Sequence, residues 1–361
     1  MTGTQSAQHP QSTQRTQNTQ NTQQKPKIVV LLSDQLFEEI MTPQAQEQLA
    51  ALGEVVRYRG APDRRTRVDA EAVADLLKDA EAVITGWGAT PKFDNWLLER
   101  TPMLRFIGHT AGTIKGFVGE EALAQDIVVT HAAGTIAIAV GEWALTVILA
   151  SLRRVCDFNA DMHARNWNKA GTGHGQTLHG KRVGIIAASM TARALIPLLK
   201  PWGCDILVFD PYLSADRATE LGVRRAPDLD ELFQTCDIVT NHAPTTPETD
   251  GIIDARRLAL LRDGALFVNT ARARAIEYDA LTRELQSGRI YGALDVFPKE
   301  PLEPESPLWT LPNVILSPHV AGATVESRLQ LGQTIVDELT RFYRGEPLKH
   351  QVRKEQLATM A

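Results

Sequence analysis

Short apolar runs rich in β-branched residues recur along the chain, and each closes on a polar or glycine-bearing cluster. Lys27 opens KIVVLLSD, Glu54 to Tyr58 forms a second candidate strand, and Ala82 to Ile84 leads into Thr85-Gly86-Trp87-Gly88. Leu104 to Ile107 leads into Gly108-His109-Thr110-Ala111-Gly112-Thr113. Runs apolar on both faces suit strands covered on both sides, as in parallel sheets. Helical patterns such as Ala70 to Leu77 separate them, and this alternation predicts an α/β protein with doubly wound parallel sheets. Ligands of such sheets bind beyond the carboxyl ends of the strands, which makes the loops after Ile84 and Ile107 candidates for one wall of a pocket.

The pattern repeats in the second half. Gly180 to Asp210 reads as strand (Val183 to Ile186), small-residue turn, helix (Thr191 to Leu199) and strand (Ile206 to Phe209). In a Rossmann half, that turn carries G-x-G-x-x-G, and an acidic residue about 20 positions on takes the ribose hydroxyls. Asp210 occupies the acidic position, whereas Ala187, Ser189 and Ala192 fill the three glycine positions. Four more strands follow: Ile238 to Thr240 before His242-Ala243-Pro244, Ala265 to Val268 before Asn269-Thr270-Ala271-Arg272, Tyr291 to Leu294 before Asp295, and Val314 to Leu316 before Ser317-Pro318-His319. Ile136 to Val155 predicts a helix apolar on nearly every side, which must be buried in the fold or between subunits. Thr324 to Tyr343 predicts a closing helix, followed by a polar tail.

Composition narrows the picture. The chain has 361 residues, 43% of them hydrophobic, enough for two cores, and its net charge of -5 gives no broad reason to bind nucleic acid or an anionic membrane. Cys156, Cys204 and Cys236 lack metal-ligand spacing and are expected to be reduced and mostly buried. No span is read as long and apolar enough for a bilayer, and without an apolar leader the expected location is cytoplasmic. Residues 1 to about 26 form a Thr/Gln/Asn-rich tract with little to bury, so this tail is expected to be disordered.

Three clusters in the second half suggest proton transfer: VNTARARAIEYDAL with Arg272, GALDVFPKEPL with Glu300, and VILSPHVAGAT with His319. Together they offer a guanidinium fork for a carboxylate, an imidazole acid/base and a carboxylate to tune it. With LHGKRVGIIA from Leu178 and HAPTTPET from His242, these blocks resemble, in order, the signature blocks of the D-isomer specific 2-hydroxyacid dehydrogenase family. The resemblance spans nearly all of residues 27 to 345. It implies a cofactor unit (133–321) inserted into a discontinuous substrate-binding unit (27–132 with 322–345), a C-terminal tail (346–361), and a homodimer with the helix near Trp143 in the contact. It also implies NAD(H), held by Ser189, Met190, Thr191, Asp210, His242, Pro244, Thr249, Thr270, Ala271, Asp295 and Gly322. A small 2-keto or 2-hydroxy acid would sit among Trp87, Thr110, Ala111, Gly112 and Arg272, with backbone donors from the Thr110 loop. His319 would be the acid/base, Arg272 the carboxylate and carbonyl anchor, and Glu300 the group that orients and charges His319. No metal is implied.

Three departures from the family blocks bear on function. Ala273 replaces the glycine after the arginine, Glu277 stands where aspartate is common, and the glycine fingerprint is lost. Methyl groups at Ala187 and Ala192 threaten turn geometry and helix approach, so weak dinucleotide binding is expected, strengthened by glycine at both positions. The alternative is a protein of the same fold that binds or regulates without catalysis, as the family's corepressor members do.

Overall fold

The strand runs assemble into two fully parallel sheets in the computed structural model, which describes residues 25–167, 174–357 and 360. The expected disorder of the N-terminal tract concerns residues outside the described ones except at its end, where the Pro26 carbonyl accepts the Glu54 amide at 2.9 Å. The first sheet contains β1 (Lys27–Leu31), β2 (Glu54–Arg57), β3 (Ala82–Thr85), β4 (Phe106–His109) and β5 (Val128–His131), in the order β2-β1-β3-β4-β5. The second contains β6 (Arg182–Ile186), β7 (Asp205–Phe209), β8 (Arg224–Arg225), β9 (Ile238–Asn241), β10 (Leu266–Asn269), β11 (Tyr291–Leu294) and β12 (Val314–Leu316). Their order, β12-β11-β10-β9-β6-β7-β8, reverses direction at β6. Such a switch point opens a crevice at the carboxyl ends of the strands, and β1 has the same position in the first sheet.

Central strands are buried along their whole length, which accounts for their unbroken apolar runs. Helices cover both faces. Ala133–Leu152 packs on Met190–Leu199, and Gly141 permits the approach, since a Cβ there would lie 3.1 Å from the Leu195 amide nitrogen. The predicted helix to Val155 stops earlier: Arg154 takes a left-handed conformation (φ 53°) and a separate helix, Val155–His163, begins behind it. Arg154 Nε donates to Asp157 Oδ2 at 2.8 Å, closing that corner. By length and composition Ala133–Leu152 could cross a membrane, which corrects the expectation that no such span exists. Its buried residues face the fold, while Ile138 remains 56% exposed. Cys156 also departs from expectation, being exposed, while Cys236 is buried and all three cysteines are free.

The last long helix, Val325–Arg344, returns to the first sheet. Gly108 on β4 and Gly332 on the helix make the contact close, because a Cβ would meet Ile335 Cγ2 at 2.4 Å and the Ile40 carbonyl oxygen at 2.3 Å respectively. The tail beyond it is tied down. The fully buried Glu338 carboxylate accepts the amides of Lys349 and His350, each at 2.9 Å, and Val352 N–H donates to the Val129 carbonyl at 2.8 Å.

Candidate active site

Paired asparagines at the ends of β9 and β10 hold the loops that follow. Asn269 Oδ1 accepts from Asn241 Nδ2 (3.1 Å) and from the Ala271 amide (3.2 Å), while Asn269 Nδ2 donates to the Arg272 carbonyl at 3.2 Å. Arg272 is thereby fixed at its backbone, and its Nη1 donates to the Ala271 carbonyl at 2.7 Å, leaving other guanidinium donors for a ligand. Burial pulls this guanidinium below its usual arginine range, and the charge of Glu300 pulls it back up. Ala273 opens a short 3-10 turn without positive φ, so the missing glycine is not needed there, and Glu277 accepts the Ala255 amide at 2.9 Å.

One strand over, buried Asp295 organises the loop after β12. Its Oδ1 accepts from Ser317 Oγ (2.6 Å) and the Val320 amide (2.9 Å), and its Oδ2 from the Ala321 amide (3.0 Å). Between these anchors His319 is held at φ 54°, a left-handed conformation that a non-glycine residue adopts at a cost. His319 Nδ1 lies 2.7 Å from Glu300 Oε2, and Glu300 Oε1 accepts the Phe297 amide at 3.1 Å. A carboxylate at Nδ1 makes that nitrogen the donor and leaves Nε2 for a reacting group. Tyr278 donates to the Val296 carbonyl at 3.0 Å; burial, then the charge of Glu300, raises its phenol well above the ordinary range.

The turn after β6 answers the question posed by the alanines. Ala187 lies at φ 68°, so the first fingerprint position does require a left-handed residue. The chain holds it there: the Ala187 amide donates to the Phe209 carbonyl (2.8 Å) and the Ala188 amide to Asp210 Oδ2 (2.7 Å). Ser189 caps Met190–Leu199, its Oγ accepting the Ala192 amide at 3.4 Å, and Ala192 is fully buried in the core between helix and sheet. Asp210 Oδ1 accepts the Tyr212 amide at 2.7 Å, and each of its oxygens keeps a lone pair for a hydroxyl donor. Arg224 and Arg217, the nearest arginines by sequence, are paired with Asp205 and Glu220.

Both sheets contribute to one cavity of about 770 Å³. Arg272 and His319 line it, as do Ser189, Met190, Thr191, His242, Pro244, Thr270, Ala271, Asp295 and Gly322 from the second half, and Trp87 and Gly112 from the first. Glu300, Asp210 and Thr249 are not among the lining residues: Glu300 touches the lining through His319, Asp210 accepts from the turn after β6, and Thr249 Oγ1 braces the His242 loop by donating to the Pro244 carbonyl at 2.6 Å. Thr110 and Ala111 are fully buried beneath it, and the Thr110 amide is already donated to the Thr85 carbonyl at 2.8 Å. That amide is thus no donor for a substrate, a correction to the expected loop. Sequence reasoning passed over Arg64, His131 and Arg328, which also line the cavity. Arg64 lies in a charged loop and Arg328 on a helix with no motif of its own; His131 ends β5, a strand that was not foreseen.

Buried polar atoms at the wall lack protein partners. Among the described residues His242 Nδ1 and Thr270 Oγ1 have none, while His242 Nε2 lies 3.0 Å from Thr240 Oγ1 and burial lowers this imidazole to about 4. Two open parallel sheets sharing a crevice with an acid/base pair on one wall place the molecule among two-unit α/β proteins of nucleotide-binding type. Residues 145–321 match the model for the NAD-binding domain of D-isomer specific 2-hydroxyacid dehydrogenases. The chain is 30% identical over 320 residues to a D-3-phosphoglycerate dehydrogenase of Methanocaldococcus jannaschii, covering 88% of this chain and 58% of that protein. It is also 30% identical over 289 residues to a glyoxylate reductase of Korarchaeum cryptofilum, covering 79% and 86%. A solved phosphoglycerate oxidoreductase of Rhizobium etli superposes with TM-score 0.77 at 25% identity, covering 91% and 98%. The chain therefore belongs to the D-isomer specific 2-hydroxyacid dehydrogenase family, although it spans little more than half the length of the phosphoglycerate dehydrogenases it matches, 58% and 57%. An NAD(H) cofactor fits these residues, with the capped helix end at Ser189 for phosphate, Asp210 for ribose, and Thr270 and His242 offering unpaired polar atoms.

Proposed function

We propose that the protein interconverts a 2-keto acid and a D-2-hydroxy acid, with residues 27–132 and 322–345 binding the acid and residues 133–321 the cofactor. The observation that carries this reading is the 2.7 Å contact of His319 with Glu300 on the cavity wall that also bears Arg272. Bound NADH supplies the hydride. Arg272 pairs with the substrate carboxylate and polarises the keto oxygen; its planar fork fixes orientation as a lysine could not. As the keto oxygen gains charge, the proton on His319 Nε2 moves to it, and Glu300 stabilises the imidazolium beforehand through Nδ1–H. In the oxidative direction, neutral His319 takes the hydroxyl proton at Nε2 and passes it to solvent, to which the side chain is 53% exposed. The amide of Gly112, which lines the cavity and has no protein acceptor among the described residues, is available to the same carboxylate, whereas Ala111 is fully buried beneath it. We further propose a cytoplasmic homodimer joined through the exposed face of Ala133–Leu152.

Loss of NADH absorbance with a panel of 2-keto acids tests this directly, with His319→Ala and Glu300→Gln beside the wild type. Turnover that depends on both residues is expected. Wild-type rates from His319→Ala on the best substrate would overturn the mechanism, and NADH binding without turnover on any acid would favour a non-catalytic role.

A further inference from the structure

The cavity carries more positive charge than a keto acid with one carboxylate requires. At the end supplied by the first sheet and the returning helix, Arg64 and Arg328 flank Trp87, their guanidinium carbons 5.9 and 4.7 Å from its ring centroid. Glu39 pairs with Arg64, and its other oxygen accepts from Gln35 Nε2 at 3.1 Å. Arg328 has no ion pair among the described residues, and its Nη1 is buried without a hydrogen-bond partner, as is Arg64 Nε. Burial lowers both guanidinium groups from their usual range, and Arg328 lowers Arg64 further by repulsion. Of the two neighbouring cations, only Arg64 therefore has a carboxylate partner, and Arg328 is half-buried without one among the described residues. A guanidinium half removed from water with its donors unmatched destabilises the fold unless an anion completes it. The position is also rigid: Gly88, at φ 91°, backs onto Arg64 so closely that a Cβ would lie 2.3 Å from the Arg64 carbonyl oxygen.

We propose that Arg328 and Arg64, both beside the Trp87 ring, receive a second anionic group on the substrate, a terminal carboxylate or phosphate monoester on the keto acid held by Arg272. The inference rests on the 2-keto acid reading above and names the substrate class for that site: acids with two anionic ends. Arg328 takes the group by its free donors, and the Trp87 ring holds both guanidinium groups near it by cation–π attraction.

The experiment compares 2-oxopentanoate, 2-oxoglutarate and phosphohydroxypyruvate by kcat/KM with NADH, and by calorimetric binding to the protein loaded with NAD+, with which a keto acid cannot react. One dianionic acid should exceed 2-oxopentanoate by about 10- to 100-fold in both readouts, since a hydrogen bond to a charged group is commonly worth that factor. Preference for the carboxylate or for the phosphate then says which anion the site accepts. Arg328→Met should remove most of the advantage through KM, and Arg328→Lys should retain part of it, which separates lost charge from lost fold. Equal values for 2-oxopentanoate and the acids with two anionic ends, or a preference unchanged in Arg328→Met, would overturn the proposal. A binding preference without turnover would uphold it while overturning the dehydrogenase reading beneath it.

Discussion

Replacing Ala187 by glycine separates strain in the fold from strain in cofactor binding. At φ 68° an alanine carries about 1–2 kcal/mol of left-handed strain that glycine lacks. Glycine also gains freedom in the unfolded chain, which offsets about 0.4–1 kcal/mol. The net expectation is a stabilisation of about 0.5–1 kcal/mol, or roughly one degree in Tm for a protein of this size. The hydrogen bonds from Ala187 to Phe209 and from Ala188 to Asp210 fix the turn through the chain itself. The strain therefore belongs to the fold, and affinity for NADH should change by less than about threefold, because 1.4 kcal/mol would be needed for tenfold. This revises the sequence expectation, in which the alanines weaken the cofactor site. Scanning calorimetry gives the Tm and titration calorimetry the affinity. A lower Tm, or a tenfold tighter NADH complex at unchanged Tm, would refute the reasoning.

His319→Ala and Arg272→Ala should each reduce turnover by about 10²- to 10⁴-fold while leaving the circular dichroism spectrum intact; a loss of less than threefold on the best substrate would remove the residue from the mechanism. NADH should be preferred over NADPH, because Asp210 repels a 2′-phosphate and Arg217 and Arg224 are already paired, and Asp210→Ala should narrow the ratio of their kcat/KM values. Acid should destabilise the fold through buried imidazoles: His242 and His131 are lowered from 6.5 to about 4 and His109 to about 3. These groups stay neutral in the fold but protonate in the unfolded chain, so stability is full above pH 6.5 and falls as pH drops toward 4, by about 3 kcal/mol for His242 alone. Urea midpoints measured from pH 7 to pH 4.5 should decline, and His242→Gln should flatten the decline; a flat wild-type curve would contradict the burial argument. Ile138→Lys should shift the mass seen by light scattering from dimer toward monomer if the exposed face of Ala133–Leu152 is the subunit contact.

Much of the architecture was legible because burial on both faces writes parallel strands as apolar runs: Ile206 to Phe209 was read within one residue of Asp205–Phe209, and Ala70 to Leu77 is observed as such. Val128–His131 was not foreseen, since a four-residue run closed by threonine and histidine lacks a distinctive period. The end of Ala133–Leu152 was hidden for another reason, as Arg154 turns left-handed to meet Asp157 and nothing in an arginine foretells positive φ. Within the site, Arg272, Glu300 and His319 could be picked out because each follows a strand in a recognisable block, and the structure brings Arg272 and His319 to one cavity with Glu300 against His319. Arg64 and Arg328 meet over Trp87 only through tertiary packing, so no spacing along the chain could announce them.

The two walls of the cavity have separate ancestry in the chain. Arg272, Glu300 and His319 are held by the edge of the second sheet, through Asn269 and Asp295, whereas Arg64, Trp87 and Arg328 belong to the first sheet and its returning helix. On the roles proposed for these residues, chemistry and selectivity sit on separate parts of the chain. Recombining residues 27–132 and 322–345 with the corresponding parts of a relative would exchange the far wall of the pocket while leaving every hydrogen bond around His319 in place, which makes the chain a natural host for transplanted substrate preference.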